Sequence, residues 1–530
     1  MIGKLLSVTN RKGLAATATA AVALFSTLAS SAPGDLDLAF NATGSFGPFS
    51  FTTGLTYPRA MALQPDGRLV VAGYCEKSAT VADTDFCALR LNRDGTLDAS
   101  FTGPSGTSAG FFTVPLGSAM ERLAAVRLQS DGKIVLAGTC GSSGVTGAFC
   151  LARLNANGSL DVTFGGGNGY LELSFGSGPL GDNLVDMAIQ ADDKIVVAGT
   201  CRLATVGQFC VARLNASTGS FDASFDGPNA AGTGVGTGNG RFVQTIASAS
   251  TNELLGALSI QADGAIVLGG SCNVELCMMR LVGSNGSFDA TFDGPGAPAG
   301  NGRWVRDLTS CTSYCQVRGV IEVFADGTTT PHLLVAIYNS APGSPAYEIA
   351  LLNALGALSS RLTGRTAFDG GSTRSVMPYP FFEVTRVIER ATSRLALGSG
   401  DGQPSVARFT PGFSPGWGIE RSHVLPLHVG SGTVYATLQQ PDGRVLALGA
   451  TAGGLVVTRV DGGPYACGGD YDGDGSVLAT TDSLIGTRLA LGVNSAAVIA
   501  GINFPVGATR TTWPAIRDFV IQNCGVPLTQ

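Results

Sequence analysis

One pattern recurs along this chain and constrains its fold more than any other feature. A module of about 60 residues can be read seven times between Pro33 and Gly462. Each full copy holds an apolar run, a Gln-x-Asp-Gly turn, a run ending in Val-Ala-Gly or a near variant, a Phe-Cys-x-x-Arg-Leu stretch, and a tail of the form Gly-Ser-Leu-Asp-x-x-Phe. Clear turns stand at Gln64-Pro65-Asp66-Gly67, Gln129-Ser130-Asp131-Gly132, Gln190-Ala191-Asp192-Asp193, Gln261-Ala262-Asp263-Gly264 and Gln440-Pro441-Asp442-Gly443, with weaker forms at 324–327 and 391–393. Asp-Gly between two apolar runs is a hairpin signal, because such turns need a positive φ that glycine adopts without steric cost. The flanking runs are short and rich in aliphatic and β-branched residues, as strands are.

The copies are out of phase with the ends of the chain. The Phe-Cys-x-x-Arg-Leu stretch at Phe86 recurs at Phe149, Phe209 and Leu276, and in diverged form at 348–352, 405–409 and 455–460, which makes seven. The tail gives Asp98…Phe101, Asp161…Phe164, Asp222…Phe225 and Asp289…Phe292, then degenerate forms at 359–362 and 414–417. The seventh module runs out at Gly462 with no tail, while an orphan tail, Gly34-Asp35-Leu36-Asp37-Leu38-Ala39-Phe40, sits at the other end. The simplest reading has the N-terminal segment complete the last module and close a ring, which removes free sheet edges. Four short strands per module, radially repeated, describe an all-β protein, a seven-bladed β-propeller closed by the N-terminal strand. The two weak modules leave six or eight blades open. An open β-solenoid has no need of a missing tail that reappears at the opposite terminus.

The module resembles the delta-60 repeat family, whose pattern runs Gln-x-Asp-Gly-Lys-Ile-Val-Val-Ala-Gly, then Phe-x-Leu-Ala-Arg-Leu-Asn, then Asp-Gly-Ser-Leu-Asp-x-Ser-Phe-Gly. Segments 129–138, 149–155 and 158–165 follow it closely. The resemblance implies a β-propeller-like fold and an exported bacterial setting. It brings no agreed catalytic residues.

Glycine (75) and proline (24) make up nearly a fifth of the 530 residues and are spaced with the repeat, so they mark turns. Charged residues are only 14% and the net charge is −6, with no Lys/Arg cluster of the kind a nucleic-acid groove needs. Lys4, Arg11 and Lys12, an apolar run over 14–28, and Ser30-Ser31-Ala32 form a secretory leader with cleavage after Ala32. The rival reading, a membrane anchor, asks for a longer and less Ala/Thr-rich run, and no other stretch is long and apolar enough to span a bilayer. The expected organisation is therefore a leader over 1–32, the repeats over 33–462 and a separate module over 463–530.

Twelve cysteines accord with export. Cys75/Cys87, Cys140/Cys150, Cys201/Cys210 and Cys272/Cys277 take the same two places in four successive modules, at the end of one strand and the start of the next. Adjacent antiparallel strands bring those places within disulfide reach. Cys311/Cys315 make a fifth local pair and Cys467/Cys524 bracket the C-terminal region. Separations of 12, 10, 9 and 5 within the first four pairs, with no accompanying His, argue against zinc.

After Gly462 the texture changes. Asp470-Tyr471-Asp472-Gly473-Asp474-Gly475-Ser476-Val477 reads as the start of a calcium loop, with carboxylates at positions one, three and five and glycine at the sharp bend. An amphipathic helix is expected over 482–491 and a second over 514–522, entered at Pro514. The unit resembles a dockerin-type or EF-hand-like loop and helix, which implies one calcium ion held by Asp470, Asp472, Asp474, Ser476 and Asp482. Two departures stand out: position twelve is Thr481, with the acid one residue later at Asp482, and 501–512 supplies no second set of carboxylates. Docking to a partner through such a surface is therefore not expected.

No catalytic residues emerge. His332, His423 and His428 are the only histidines, and no Gly-x-Ser-x-Gly elbow, phosphate loop or His-Glu-x-x-His occurs. Asp98, Asp161, Asp222 and Asp289 recur with the scaffold and read as turn-holding residues, with Arg90, Arg153, Arg213 and Arg280 as their partners. The sector richest in non-repeated aromatics, with Tyr314, Tyr338, Tyr347, Tyr379, Phe381, Phe382 and Trp417, is the expected ligand face or else a drifted packing region. The leading expectation is a secreted, monomeric binding or adhesion scaffold for an extracellular glycan or protein. The alternatives are an extracellular carbohydrate-active enzyme using channel carboxylates and a structural component of a surface assembly.

Overall fold

The computed structural model describes residues 36–460 with breaks in the connecting loops, the longest at 228–238, 365–381 and 410–418, and C-terminally residue 471, 480–490 and most of 493–517. The segment 1–32, expected to be a leader, lies outside the described residues. Among those described, no helix is long and apolar enough to cross a membrane.

Nearly every regular element is a strand, and the strands group in fours. The first sheet runs Thr56–Leu63, Leu69–Ser78, Val81–Leu91, Phe111–Val114, each antiparallel to the one before. The second (Met120–Leu128, Ile134–Ser142, Thr146–Leu154, Tyr170–Leu173) is tied to it by one parallel bridge between Thr84 and Met120. The third opens with Asp182–Ile189 and ends with Arg241–Gln244, and the fourth opens with Glu253–Ile260 and ends with Arg303–Arg306. Four-stranded sheets opening with Cys315–Phe324 and with Phe382–Arg390 follow, their backbone described and few of their side chains. The last sheet takes only three strands from its own stretch, Thr433–Gln439, Val445–Thr451 and Gly454–Val460. Its fourth is Ser45–Phe49, paired antiparallel to Gly454–Val460.

The opening strands form the inner edge: each packs against the next, and Thr56–Leu63 also packs against Thr433–Gln439. Every opening strand carries a bulge at the same level, marked by the register breaks Pro58/Ala60, Leu123/Ala125, Leu184/Asp186, Leu255/Ala257, Val317/Gly319, Val384/Arg386 and Val434/Ala436. The bulge explains the glycine of Val-Ala-Gly. A Cβ added at Gly138, Gly199 or Gly270 would collide with the carbonyl of Arg122, Asn183 or Leu254, just upstream of each bulge.

Apolar cores fill the spaces between neighbouring sheets, and the tail phenylalanines sit in or against them: Phe101, Phe164, Phe225 and Phe292 are wholly buried. Phe40, from the displaced tail, enters the core shared by the first and last sheets, beside Leu69 and Leu448. Burying such a ring contributes about 1.5–3 kcal/mol.

Three disulfides staple the second and third strands of successive sheets: Cys140–Cys150, Cys201–Cys210 and Cys272–Cys277, with Cα atoms 5.7–5.8 Å apart. The partners are diagonal, not opposite: Cys140 faces Ala148 and Cys150 faces Gly138. Cys75 and Cys87 hold the same register but are buried thiols, not a fourth bridge, in this structure. Burial, helped by the contact with Cys75, pushes the Cys87 thiol well above its usual range. Cys311, Cys467 and Cys524 lie outside the described residues, and of Cys315 only the backbone is described.

At the C-terminal end, a helix spans Asp482–Ala490, and 513–517 are helical where the second helix was expected. Ile485, Val498 and Ile516 form a small core there with Tyr471 and Trp513 against it.

Candidate functional site

The residues that repeat form a load-sharing network. Arg90, Arg153 and Arg213 each donate through Nε to the tail aspartate of their own module, Asp98, Asp161 and Asp222, at 2.7–2.8 Å. Each guanidinium lies over the tail phenylalanine, 4.5–4.7 Å from the ring centre. Each also reaches into the next module, to the backbone carbonyl of Ala156, Ala216 and Gly283 respectively. The other carboxylate oxygen of each aspartate accepts the hydroxyl and N–H of Ser100, Thr163 or Ser224. Burial pushes the Asp222 carboxyl up, but the Ser224 hydroxyl and N–H, with Arg213, outweigh it and hold the group down at about 2. Asp98 and Asp161 are lowered in the same manner. A carboxylate so tied neither accepts nor delivers a proton near neutrality, so these acids are scaffold.

The displaced tail reproduces the network across the ends of the chain. Arg459 Nε donates to Asp37 at 2.7 Å, its guanidinium covers Phe40 at 4.7 Å, and it reaches the Arg93 carbonyl of the first module at 2.7 Å. Leu36 bridges Val460, as Leu97 bridges Leu91. The surface cleft beside this junction, lined by Asp66, Arg68, Asn92, Arg93 and Asp94, belongs to the same turns: Arg93 Nε donates to the Asp66 carbonyl and Arg68 pairs with Asp66.

A second set of buried acids also follows the repeat. Glu121, Asp182 and Glu253 stand at or next to the start of their opening strands, opposite Cys140, Cys201 and Cys272. They accept the backbone N–H of Leu116, Phe175 and Ile246 at 2.7–2.9 Å and so clamp the chain as it crosses from one sheet to the next. Burial raises Asp182 to about 6 against the pull of the Phe175 N–H and Arg241. Cys140, Cys150 and Glu172 also converge, but the two sulfurs are joined and offer no thiolate to a metal.

Of the expected calcium ligands, Asp470, Asp472, Asp474 and Ser476 lie outside the described residues. Asp482 is fully buried at the head of its helix, where its Oδ1 accepts the Tyr471 N–H at 2.6 Å and its Oδ2 accepts the Thr481 hydroxyl. Burial, and then the neighbouring Asp482, raise the Tyr471 hydroxyl. Tyr314, Tyr379 and Phe381 fall outside the described residues, as does Trp417. The side chains of His332, Tyr338, Tyr347, Phe382 and His423 are not described, so that sector yields no geometry.

The repeat breaks elsewhere in a way that does yield geometry. After the strand-end glycine, modules two to four place Thr139, Thr200 and Ser271, and Thr139 and Thr200 accept the N–H of Leu184 and Leu255 on the next opening strand. The first module has Tyr74 instead. Its ring stacks on Tyr57, its register partner, at 4.7 Å and 19°. The residue in the bulge of the first opening strand is Arg59, which donates to the Tyr74 hydroxyl at 3.0 Å and lies 5.0 Å from that ring. Its guanidinium also lies 4.7 Å from the ring of Tyr435, the bulge residue of the last sheet. Glu76 accepts the Leu55 N–H at 3.1 Å and the Tyr57 hydroxyl at 3.4 Å. Burial, followed by Glu76, raises the Tyr57 hydroxyl. Tyr57, Arg59 and Tyr435 are half-buried at the inner edge, where the two ends of the repeat array meet. This cluster was missed from sequence. The signal was Tyr74 where modules two to four have a small hydroxyl residue.

Three segments match a family model described as "Domain of unknown function (DUF5122) beta-propeller": 64–101, 129–164 and 190–225, each running from the turn glutamine to the tail phenylalanine. No curated protein matches the chain in sequence. Similar solved structures include a catalytically inactive virginiamycin B lyase from Staphylococcus aureus with quinupristin (8% identity, 78% of this chain and 97% of that one covered, TM-score 0.42). Others are a Dos1 propeller (11%, 78% and 94%, 0.41) and the extracellular domains 1–2 of Drosophila Semaphorin 1b (10%, 79% and 86%, 0.39). The matched segments fall in the first three four-stranded sheets, and together with those sheets they show a fold of the β-propeller type.

Proposed function

We propose that this chain is an exported binding scaffold: a seven-bladed propeller, closed by its N-terminal tail, that presents a site for an extracellular glycan or protein partner at the closing seam. The blade count is supported by the seven register breaks at one level of the inner edge, and closure by the Leu36–Val460 bridge and the Asp37–Arg459 pair. Export is supported by the leader motif and the three disulfides, since such bridges persist in oxidising compartments.

The observation that carries the binding assignment is the Tyr57–Tyr74–Arg59–Tyr435 cluster, a departure from the repeat at its inner edge. Tyrosine faces with a polar tip suit sugars and peptide surfaces, and a site confined to one seam gives one ligand per ring. The test is binding of the purified mature chain to a glycan array, with Tyr57→Ala and Tyr435→Ala alongside. Binding that both substitutions weaken supports the assignment. Release of reducing sugar as the sole robust result overturns it in favour of an enzyme.

The C-terminal module is proposed to hold one calcium ion through Asp470, Asp472, Asp474, Ser476 and Asp482. The fit rests on Asp482, a fully buried carboxylate bonded back to the loop at Tyr471, as expected of an acid that closes a loop around a cation. Calcium would neutralise the charge that burial makes costly there. Calcium is expected to raise the melting temperature of the full chain relative to chelator, and Asp474→Ala to abolish that difference. An unchanged difference overturns the site.

A further inference from the structure

The repeated arginines all answer to carboxylates: Arg90 to Asp98, Arg153 to Asp161, Arg213 to Asp222, Arg280 to Asp289 and Arg459 to Asp37. Arg59 does not. A guanidinium has five N–H donors. Among the described residues Arg59 commits two of them, from Nη1 to the Pro58 carbonyl at 3.3 Å and from Nη2 to the Tyr74 hydroxyl at 3.0 Å. Its other neighbours there are the rings of Tyr74 and Tyr435. Because the Tyr74 oxygen accepts from Arg59, its own hydrogen is left to donate, and the Tyr435 hydroxyl has no bond among the described residues. Burial and then Glu76 raise the Tyr57 hydroxyl, and Tyr74 and Tyr435 add to the rise, which puts the three phenols close together. Glu76, the carboxylate of the cluster, is turned to the Leu55 N–H and the Tyr57 hydroxyl.

This half-buried seam is therefore rich in donors and short of acceptors. It offers the remaining N–H groups of Arg59 and the hydroxyls of Tyr74 and Tyr435, around one positive charge with no acid to answer it. We propose that the seam site takes a sulfate monoester carried on a sugar, with Arg59, Tyr74 and Tyr435 donating to its terminal oxygens and Tyr57 backing the Tyr74 ring. One negative charge answers one cation. A phosphate monoester brings about −1.5 to −2 near neutrality, more than Arg59 offsets, and Glu76 stands in the same cluster. A carboxylate matches the charge but presents two coplanar oxygens, which suit a guanidinium fork alone. Three donor side chains drawn from two sheets suit three terminal oxygens instead. The proposal rests on the binding assignment above and deepens it from glycan to sulfated glycan.

The experiment is calorimetric titration of the mature full chain with a carrageenan oligosaccharide, its chemically desulfated counterpart and an oligogalacturonate of similar length, at low and moderate salt. The sulfated sugar is expected to bind, the desulfated one to bind about tenfold more weakly or not at all, and salt to weaken the complex. Arg59→Gln should weaken sulfated-sugar binding by about tenfold. Arg59 touches rings from two sheets, so its loss can also loosen the seam. Tyr435→Phe is therefore the deciding variant: it keeps the ring against Arg59 and removes one donor. It should weaken the sulfated sugar by about tenfold, with the melting temperature and the affinity for the desulfated sugar unchanged. Full affinity in Tyr435→Phe overturns the proposal, because the sulfate would then be held elsewhere. Equal affinity for the sulfated and desulfated sugars overturns it too and leaves a glycan-binding site standing. Preference for the oligogalacturonate overturns the choice of sulfate. If none of these sugars nor any array glycan binds, the glycan assignment itself falls.

Discussion

At the scale of single residues, the protein places its acids in two opposite electrostatic settings, and pH separates them. Asp222, held at about 2, is a depressed carboxyl: its stabilisation is complete above the unfolded value near 4 and is lost as pH falls towards 2. Asp182, raised to about 6, is the reverse: the fold tolerates it best when protonated, so stability falls as pH rises from about 4 to about 6. Asp182→Asn should therefore raise the melting temperature at pH 7–8, by the equivalent of about 1–2 kcal/mol, and change nothing below about pH 4. An Asn that destabilises at neutral pH would show that the negative charge is needed there. Arg153→Gln should cost about 3–5 kcal/mol in denaturant unfolding, since it leaves the buried Asp161 without its cation and cuts the tie to Ala216. A loss below 1 kcal/mol would mean that Arg153 is a passenger of the motif.

The strand is the scale at which sequence spoke most clearly. Turn, glycine, Arg and tail Phe each had a local chemical reason, so their positions in the sheet could be read before any coordinates. What stayed hidden were relations across sheets. The bulge has no residue signature of its own, because Arg59, Ala124, Val185, Gly256, Arg318, Thr385 and Tyr435 share no property, and in six of the seven sheets it is legible only through the glycine that faces it across the pair. The same holds for the seam site, whose members come from 57–76 and from 435 and meet only when two sheets pack. The cysteines were correctly paired in three modules, although the diagonal offset was not foreseen. Cys75 and Cys87 hold an identical register, so oxidation of the protein should close a fourth bridge between them. Non-reducing peptide mapping is expected to recover a linked 75/87 peptide; free, alkylatable thiols at both positions in native material would contradict that.

For the whole molecule, the decisive contacts join residues more than four hundred positions apart, such as Asp37 with Arg459 and Ser45 with Thr458. Removing 33–49 should leave the last sheet a strand short, empty the Phe40 pocket and expose Gly454–Val460 to proteolysis. Limited digestion is expected to trim the truncated protein back from that strand while sparing the second to fourth sheets. Moving the same segment to follow residue 462 through a short linker should restore resistance; a transplanted tail that fails to do so would show that the tail serves something other than the last sheet.

The displaced tail also sets an order of events in time. During synthesis residues 36–49 leave the ribosome long before Thr433–Gln439 and its neighbours exist, so the segment that completes the last sheet is made first and placed last. Until then it is an unpaired strand, and so is the edge it will eventually cover. That one strand can meet another molecule's waiting edge before its own exists, and folding speed and local concentration therefore decide whether each last sheet is completed by its own strand or by a neighbour's.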